Sequence, residues 1–121
     1  MRVPYRVSVL LVLMVCAASA QAATGKEAVQ ACVDLSAAHK VLGYGSQLVL
    51  VADGDAHYRL KVDNSCDALA TATRFQLSSA GQAGRICPEG TSVKTNDDNC
   101  DVTSVERIDA RTYSRYLRSR R

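Results

Sequence analysis

Gln47-Leu48-Val49-Leu50-Val51-Ala52-Asp53-Gly54-Asp55-Ala56-His57-Tyr58-Arg59-Leu60-Lys61-Val62-Asp63 is the stretch on which the fold turns. Residues 48–51 are an unbroken apolar run, half of it β-branched, and Asp53-Gly54-Asp55 is hairpin-turn chemistry. Beyond the turn, residues 57–63 alternate strictly. Tyr58, Leu60 and Val62 fall on one face, and His57, Arg59, Lys61 and Asp63 fall on the other. Successive side chains of a strand point to opposite faces, so the second arm reads as a half-buried antiparallel strand with a wet outer side.

Outward from this hairpin the pattern stays short and strand-like. Gly43-Tyr44-Gly45-Ser46 is a turn. Residues 73–79 alternate Thr73, Phe75 and Leu77 inward against Arg74, Gln76 and Ser78 outward. A loop at residues 80–84 leads to Arg85-Ile86-Cys87, and Pro88-Glu89-Gly90 turns into residues 91–95. Residues 96–101 read as an Asx-rich loop and residues 102–108 as the last strand, with Val102, Val105 and Ile108 at every third position. Upstream, Val29, Cys32 and Val33 stand at i, i+3 and i+4, the spacing of a short amphipathic helix over residues 26–35. The expected fold is mainly β: a small curled antiparallel sheet or barrel with a short N-terminal helix, stapled by two disulfides.

Residues 1–22 carry Arg2 and Arg6, then the apolar run 7–18, then small residues. This is the layout of a signal peptide, and the run is too short to span a bilayer. Cleavage is expected after Ala22, with Ala20 the alternative. Cys16 follows Val15, where a lipid-anchored precursor needs a small residue, so Cys16 goes with the removed segment. The remaining 99 residues allow one domain, residues 23–110, followed by a basic C-terminal tail, residues 111–121. The expected location is periplasmic or secreted.

Of five cysteines, Cys32, Cys66, Cys87 and Cys100 lie beyond the signal. An even number in a small exported domain reads as two disulfides. The absence of a Cys-x-x-Cys pair removes zinc-ribbon and thioredoxin-like readings. Four cysteines permit three connectivities. The favoured one is Cys32–Cys100 with Cys66–Cys87, because the first bridge would tie together the two ends of a closed sheet. The sequential pairing, Cys32–Cys66 with Cys87–Cys100, stays open.

Charge is divided unevenly. Residues 23–110 hold 8 basic and 12 acidic side chains, while residues 111–121 hold five arginines and no acid. A nucleic-acid-binding domain would show its basic face in the folded body, so none is expected here. The tail residues Arg111, Arg115, Arg118, Arg120 and Arg121 instead suit an anionic membrane surface or envelope polymer. Against that stands a solvated terminus, or a helix docking Tyr113, Tyr116 and Leu117 onto the core.

The ordered set Cys32-Val33-Asp34-Leu35, the hairpin with Tyr58-Arg59-Leu60, Cys66-Asp67-Ala68-Leu69, Gly84-Arg85-Ile86-Cys87 and Cys100-Asp101-Val102-Thr103-Ser104-Val105 resembles an uncharacterised family. It is a domain-of-unknown-function family of small exported four-cysteine proteins of Gram-negative bacteria. The resemblance covers about residues 30–109 and implies a periplasmic or secreted β-rich domain. It brings no activity, cofactor or site residue, and the tail lies outside it.

Candidate chemistry is sparse. His39, Lys40 and His57 are the residues a small secreted nuclease would use as acid, stabiliser and base. The hairpin reading turns His57 to solvent beside Arg59 and Lys61, with Arg74 on a neighbouring strand completing a cationic face. Asn96-Asp97-Asp98-Asn99-Cys100-Asp101 offers hard oxygen ligands of the calcium type, yet Asx clusters also satisfy the backbone of their own loop. The expectation is therefore a non-catalytic exported domain with a binding or structural role in the envelope, with no cofactor and no metal. The alternatives are a small secreted enzyme such as a nuclease, or an enzyme inhibitor presenting the loop at residues 80–84.

Overall fold

The computed structural model describes residues 26–63 and 66–120; the expected export signal and Arg121 lie outside the described residues. In chain order the elements are β1 (Lys26–Ala28), β2 (Val33–Asp34), β3 (Lys40–Tyr44), β4 (Leu48–Asp53), β5 (Ala56–Val62), α1 (Ala68–Thr71), β6 (Gln76–Ser79), β7 (Gln82–Ala83), β8 (Arg85–Ile86), β9 (Thr91–Lys94), β10 (Asn99–Ile108) and α2 (Ala110–Ser119). The hairpin that decided the reading is β4–β5. Asp53 lies opposite Ala56, and Gly54 takes φ 58° at the first position of the two-residue turn. A left-handed backbone there carries no Cβ penalty for glycine.

The main sheet is antiparallel and curls into a half-barrel, in the order β3-β4-β5-β10-β9-β6-β7, with β1 beside the far end of β10. β2 and β8 form a separate two-stranded ladder. β10 is the spine of the sheet. Its residues from Val102 to Ile108 pair with β5, and Asn99–Asp101 pair with β9. Asn99 to Asp101 are thus strand and not the expected loop. The register slips between Val102 and Ser104. This bulge lets Val102 and Val105 face the same core although they stand three apart, which is why the sequence there showed a period that suits no regular strand.

The inner face is the expected one. Val49, Val51, Tyr58, Leu60 and Val62 are buried, joined by Leu77, Ile86, Val93, Val102 and Val105. α1 caps it by seating Leu69 over β3. At Gly43 a Cβ would stand 2.6 Å from the Leu69 carbonyl oxygen, so that close approach requires glycine. Phe75 packs on this core ahead of β6, whereas Thr73 is exposed. The strand starts late because Asn96 Oδ1 accepts the Thr73 and Arg74 backbone N–H bonds, at 3.2 and 3.1 Å. Those two amides are turned to a side chain instead of a neighbouring strand.

The N-terminal helix and the disulfide pairing also need correcting. The first is the N-terminal helix: residues 26–28 are strand β1 and residues 33–34 strand β2. Backbone pairing to β10 and β8 overrides a three-residue helical spacing that has too few turns to sustain itself. The second is the disulfide pairing, which is Cys32–Cys87 with Cys66–Cys100. Val33 lies opposite Ile86, so the same antiparallel register places Cys32 directly across from Cys87, with Cα atoms 4.0 Å apart. Val62 lies opposite Val102, and the Asp63 amide bonds to the Asp101 carbonyl. Cys66 therefore leaves β5 beside the start of β10, where Cys100 sits.

The outer face of the hairpin is not wet. Leu50 is fully buried, and with Ile108 and Tyr113 it forms a second apolar cluster that Leu42, Tyr44, Ala52 and Tyr116 join. The cover is α2. The strands β3, β4, β5 and β10 are thus sandwiched between two apolar layers.

Candidate functional site

α2 begins where Asp109, extended at φ −80° and ψ 166°, accepts the Thr112 amide on its carboxylate at 2.7 Å. That is an N-cap in which one orphan amide of the first turn finds a partner. The bond from Thr112, aided by Arg111 and Arg115, holds the Asp109 carboxyl below its ordinary pKa. Arg118 in the last turn adds a favourable cation at the negative end of the helix.

The rotation of the helix decides which residues dock. At 3.6 residues per turn, Tyr113 and Tyr116 share one face, while Arg111, Arg115 and Arg118, spaced i, i+4 and i+7, form a stripe on the opposite face. Tyr113 lies over the His57 ring, with centroids 4.6 Å apart. Burial pushes its phenol pKa up, against a smaller opposite pull from Arg120. Tyr116 stands edge-on to Tyr44 at 5.1 Å, and its hydroxyl accepts a 2.7 Å bond from Arg59. Arg59 also pairs with Glu106, its cross-strand neighbour on β10. Burial by itself would lower the Arg59 pKa, but Tyr116 and Glu106 outweigh it and hold the pKa above its usual value. Tyr44 and Ser119 hydroxyls share a 2.9 Å bond at the far end. Leu117 is left 38% exposed, so of the three residues expected to dock, two do so.

Beneath the helix, strand register builds rows across the outer face. One row is Lys40, Ala52, His57, Ile108 and Lys26; the next is Leu42, Leu50, Arg59, Glu106 and Ala28. The expected cationic face is therefore corrected. His57 and Arg59 are covered by α2, and Arg74 lies ahead of β6, which β10 and β9 separate from β5. The exposed arginines of α2 are Arg111, Arg115, Arg118 and Arg120, and Arg74 and Arg107 are exposed elsewhere on the surface. Two signals in the sequence pointed here: apolar Leu50 and Ile108 on the face that alternation assigned to solvent, and the tyrosines at 113 and 116.

The remaining candidates are placed as follows. His39 is held by a 2.6 Å contact between its Nδ1 and the Ser36 carbonyl. Ser36 is in turn bound through its amide and hydroxyl to Asp53, which keeps that carboxyl below its ordinary pKa. This set ties the loop before β3 to the tip of the β4–β5 hairpin. The Ser36 proton goes to a carboxylate and not to a histidine, so the three residues do not form a nucleophile–base relay. In the Asx loop, Asn96 caps residues 73 and 74, and Asp98 accepts the Asn99 amide at 2.8 Å while its own amide bonds to Thr95 at 3.0 Å. These side chains serve their own backbone. The Cys66 and Cys100 sulfurs lie within 4.8 Å of an Asp98 oxygen, but they are spent on each other as a disulfide. Residues 80–84 hold a tight hairpin: Ala80 and Gly81, at φ 51° and 77°, make the two-residue turn between β6 and β7.

No protein-family model, curated protein or solved structure matches this chain. The docked helix with its outward arginine stripe is the feature on which a function can be argued.

Proposed function

We propose that this protein is a non-catalytic, exported, disulfide-stapled domain that binds an anionic surface of the envelope through the arginine face of α2. The division of that helix carries the reading. Two tyrosines hold it to the sheet, and Arg111, Arg115 and Arg118 stand exposed on the opposite side of a body whose other charges are mostly acidic. A rigid row of cations pays less ordering entropy on binding than a frayed tail would.

Export is supported by the basic-apolar-small layout of residues 1–22 and by two disulfides, which persist in oxidising compartments. Among the described residues no helix is long and apolar enough to cross a membrane. The ordered cysteine pattern supports placing the chain with the four-cysteine exported family that it resembles. A binding role over catalysis is supported by the engagement of both histidines in packing, His57 under Tyr113 and His39 against Ser36. Intact mass of periplasmic material should give a chain beginning at Ala23 or Gln21.

The test is the triple variant Arg111→Gln, Arg115→Gln, Arg118→Gln. Each arginine near an anionic bilayer contributes about 1 kcal/mol at low salt. The variant should therefore sediment with anionic vesicles roughly a hundredfold less well. Its melting temperature should stay near that of the parent, because the replaced side chains are exposed. Equal sedimentation of the two proteins would reject the reading.

A further inference from the structure

The two disulfides stand in different surroundings. Cys66 and Cys100 are 4% and 8% exposed and belong to the core cluster with Val62, Leu69 and Val102. Cys87 is also 8% exposed, but its partner Cys32 is an exposed residue, preceded by exposed Gln30 and Ala31. One half of this bridge is open to solvent and the other half is not. The attachments of the two halves differ as well. Thr91 Oγ1 accepts the Cys87 amide at 2.8 Å and lies 2.8 Å from the Cys87 carbonyl oxygen, which fixes Cys87 to β9. Cys32 is held by the β2–β8 ladder, which has two residue pairs and stands apart from the main sheet. The ladder is extended by the Leu35 amide on the Gly84 carbonyl at 2.7 Å, and by Asp34 beside Arg85 at 3.5 Å.

We propose that Cys32–Cys87 is a thiol-exchange site, attacked at Cys32 by a small soluble thiol, with Cys87 as the resolving thiol and Cys66–Cys100 as the permanent staple. Exchange runs through a mixed disulfide, and access decides which sulfur is attacked. The incoming thiolate bonds to Cys32 Sγ, the Cys32–Cys87 bond breaks, and its electron pair stays on Cys87 as a thiolate. Cys32 carries the adduct on the weakly held segment, while Cys87 stays in place on β9. Two outcomes follow from that state. The Cys87 thiolate attacks Cys32 Sγ, expels the small thiolate and restores the bridge. Alternatively a second small thiol attacks the adduct's own sulfur and releases the Cys32 thiolate. In that case two thiols are oxidised to one disulfide, the bridge takes up two electrons, and the two protons end on Cys32 and Cys87.

The oxidised exported chain is incubated with reduced glutathione, quenched with acid at intervals, and alkylated for peptide mapping. The first adduct should map to Cys32. The Cys32–Cys87 bridge should open about a hundredfold faster than Cys66–Cys100, because a buried bridge reacts only from locally opened states. Amide exchange should quicken at residues 33–35 and 84–86 while β4 and β5 keep their protection. Removing free glutathione should return the adduct to the parent mass, with the Cys32–Cys87 peptide pair restored. An adduct on Cys87 would overturn the assignment of the attacked sulfur. Opening of both bridges at one rate would overturn the division between exchange site and staple. An adduct that persists after glutathione is removed would reject the resolving role of Cys87. A chain that resists glutathione when folded but reacts in urea overturns the site altogether.

Discussion

The two halves of the sheet meet along β10 and are held by different forces. On one side β3, β4 and β5 are buried on both faces, with Val49, Leu50 and Val51 all at 0% exposure. There the stabilisation comes from apolar area, about 25 cal/mol per Å² removed from water, and the outer layer exists because α2 folds back. On the other side, β6 and β9 bury Ser79 and Thr91. Their hydroxyls lie 2.6 Å apart and reach the Arg85 and Cys87 carbonyls at 3.0 and 2.8 Å. Each hydroxyl has one proton to give, so two of these three contacts carry a hydroxyl donor at any moment, and Thr91 Oγ1 also accepts the Cys87 amide at 2.8 Å. Cys32–Cys87 and Cys66–Cys100 bind this half to the rest. Where a small domain lacks apolar area, covalent closure and a satisfied hydroxyl network take its place.

The largest expected break in that contrast is the double variant Cys32→Ala, Cys87→Ala. The bridge closes a sequence separation of 55 residues, and releasing it should cost about 4 kcal/mol in a urea melt. Hydrogen exchange should quicken in β6, β8 and β9 well before β4 and β5. Uniform quickening would show that the two halves unfold as one unit.

Leu50→Ala attacks the other half from its outer side. A fully buried leucine truncated to alanine should cost about 3 kcal/mol, and near-ultraviolet circular dichroism should report loosened tyrosines as α2 loses its seat. If the tyrosine signal survives at full strength, the helix does not depend on that contact.

Ala80→Gly sharpens the comparison from the stapled side. Ala80 sits at φ 51°, a region that costs a residue with a Cβ about 1 kcal/mol or more. Glycine should raise the urea midpoint by about 1 kcal/mol equivalent. A lower midpoint would mean that unfolded-chain entropy outweighs the relief.

The smallest effect is acid sensitivity. Asp53 and Asp109 have lowered carboxyl pKa values, through Ser36 and Thr112 respectively. Their stabilisation is present above the unfolded value near pH 4 and is lost as pH falls through the lower folded values. Asp109→Asn keeps an N-cap acceptor but does not titrate, so the drop in melting temperature between pH 7 and pH 3 should be smaller than in the parent. An equal drop would remove Asp109 from the acid response. Tyr113, raised by burial, works at the alkaline end: its stabilisation holds below about pH 10 and fades as pH rises through the folded value.

Much of this was legible in the residues. The β4–β5 hairpin, its inward Tyr58, Leu60 and Val62, and the tight turn at Gly54 follow from a period of two and from turn chemistry, both local. The bulge in β10 was visible as a misfit, since Val102 and Val105 violate that period, though its cause was not. Of the candidate site, the arginines and the tyrosines were both noted, but which of them faced water was not decided.

By itself the sequence determined what short-range physics can determine: where strands alternate, where glycine lets the backbone turn, and that four cysteines pair. Tertiary structure decided which strands became neighbours. β5 lies beside β10, so Cys66 meets Cys100, and β2 lies beside β8, so Cys32 meets Cys87. Pairing between distant segments depends on the total area buried by the whole sheet and leaves no mark in any one window of residues. The same holds for α2: its helical spacing is local, but its role as a cover exists because β3, β4, β5 and β10 together present an apolar outer face that a single strand does not reveal.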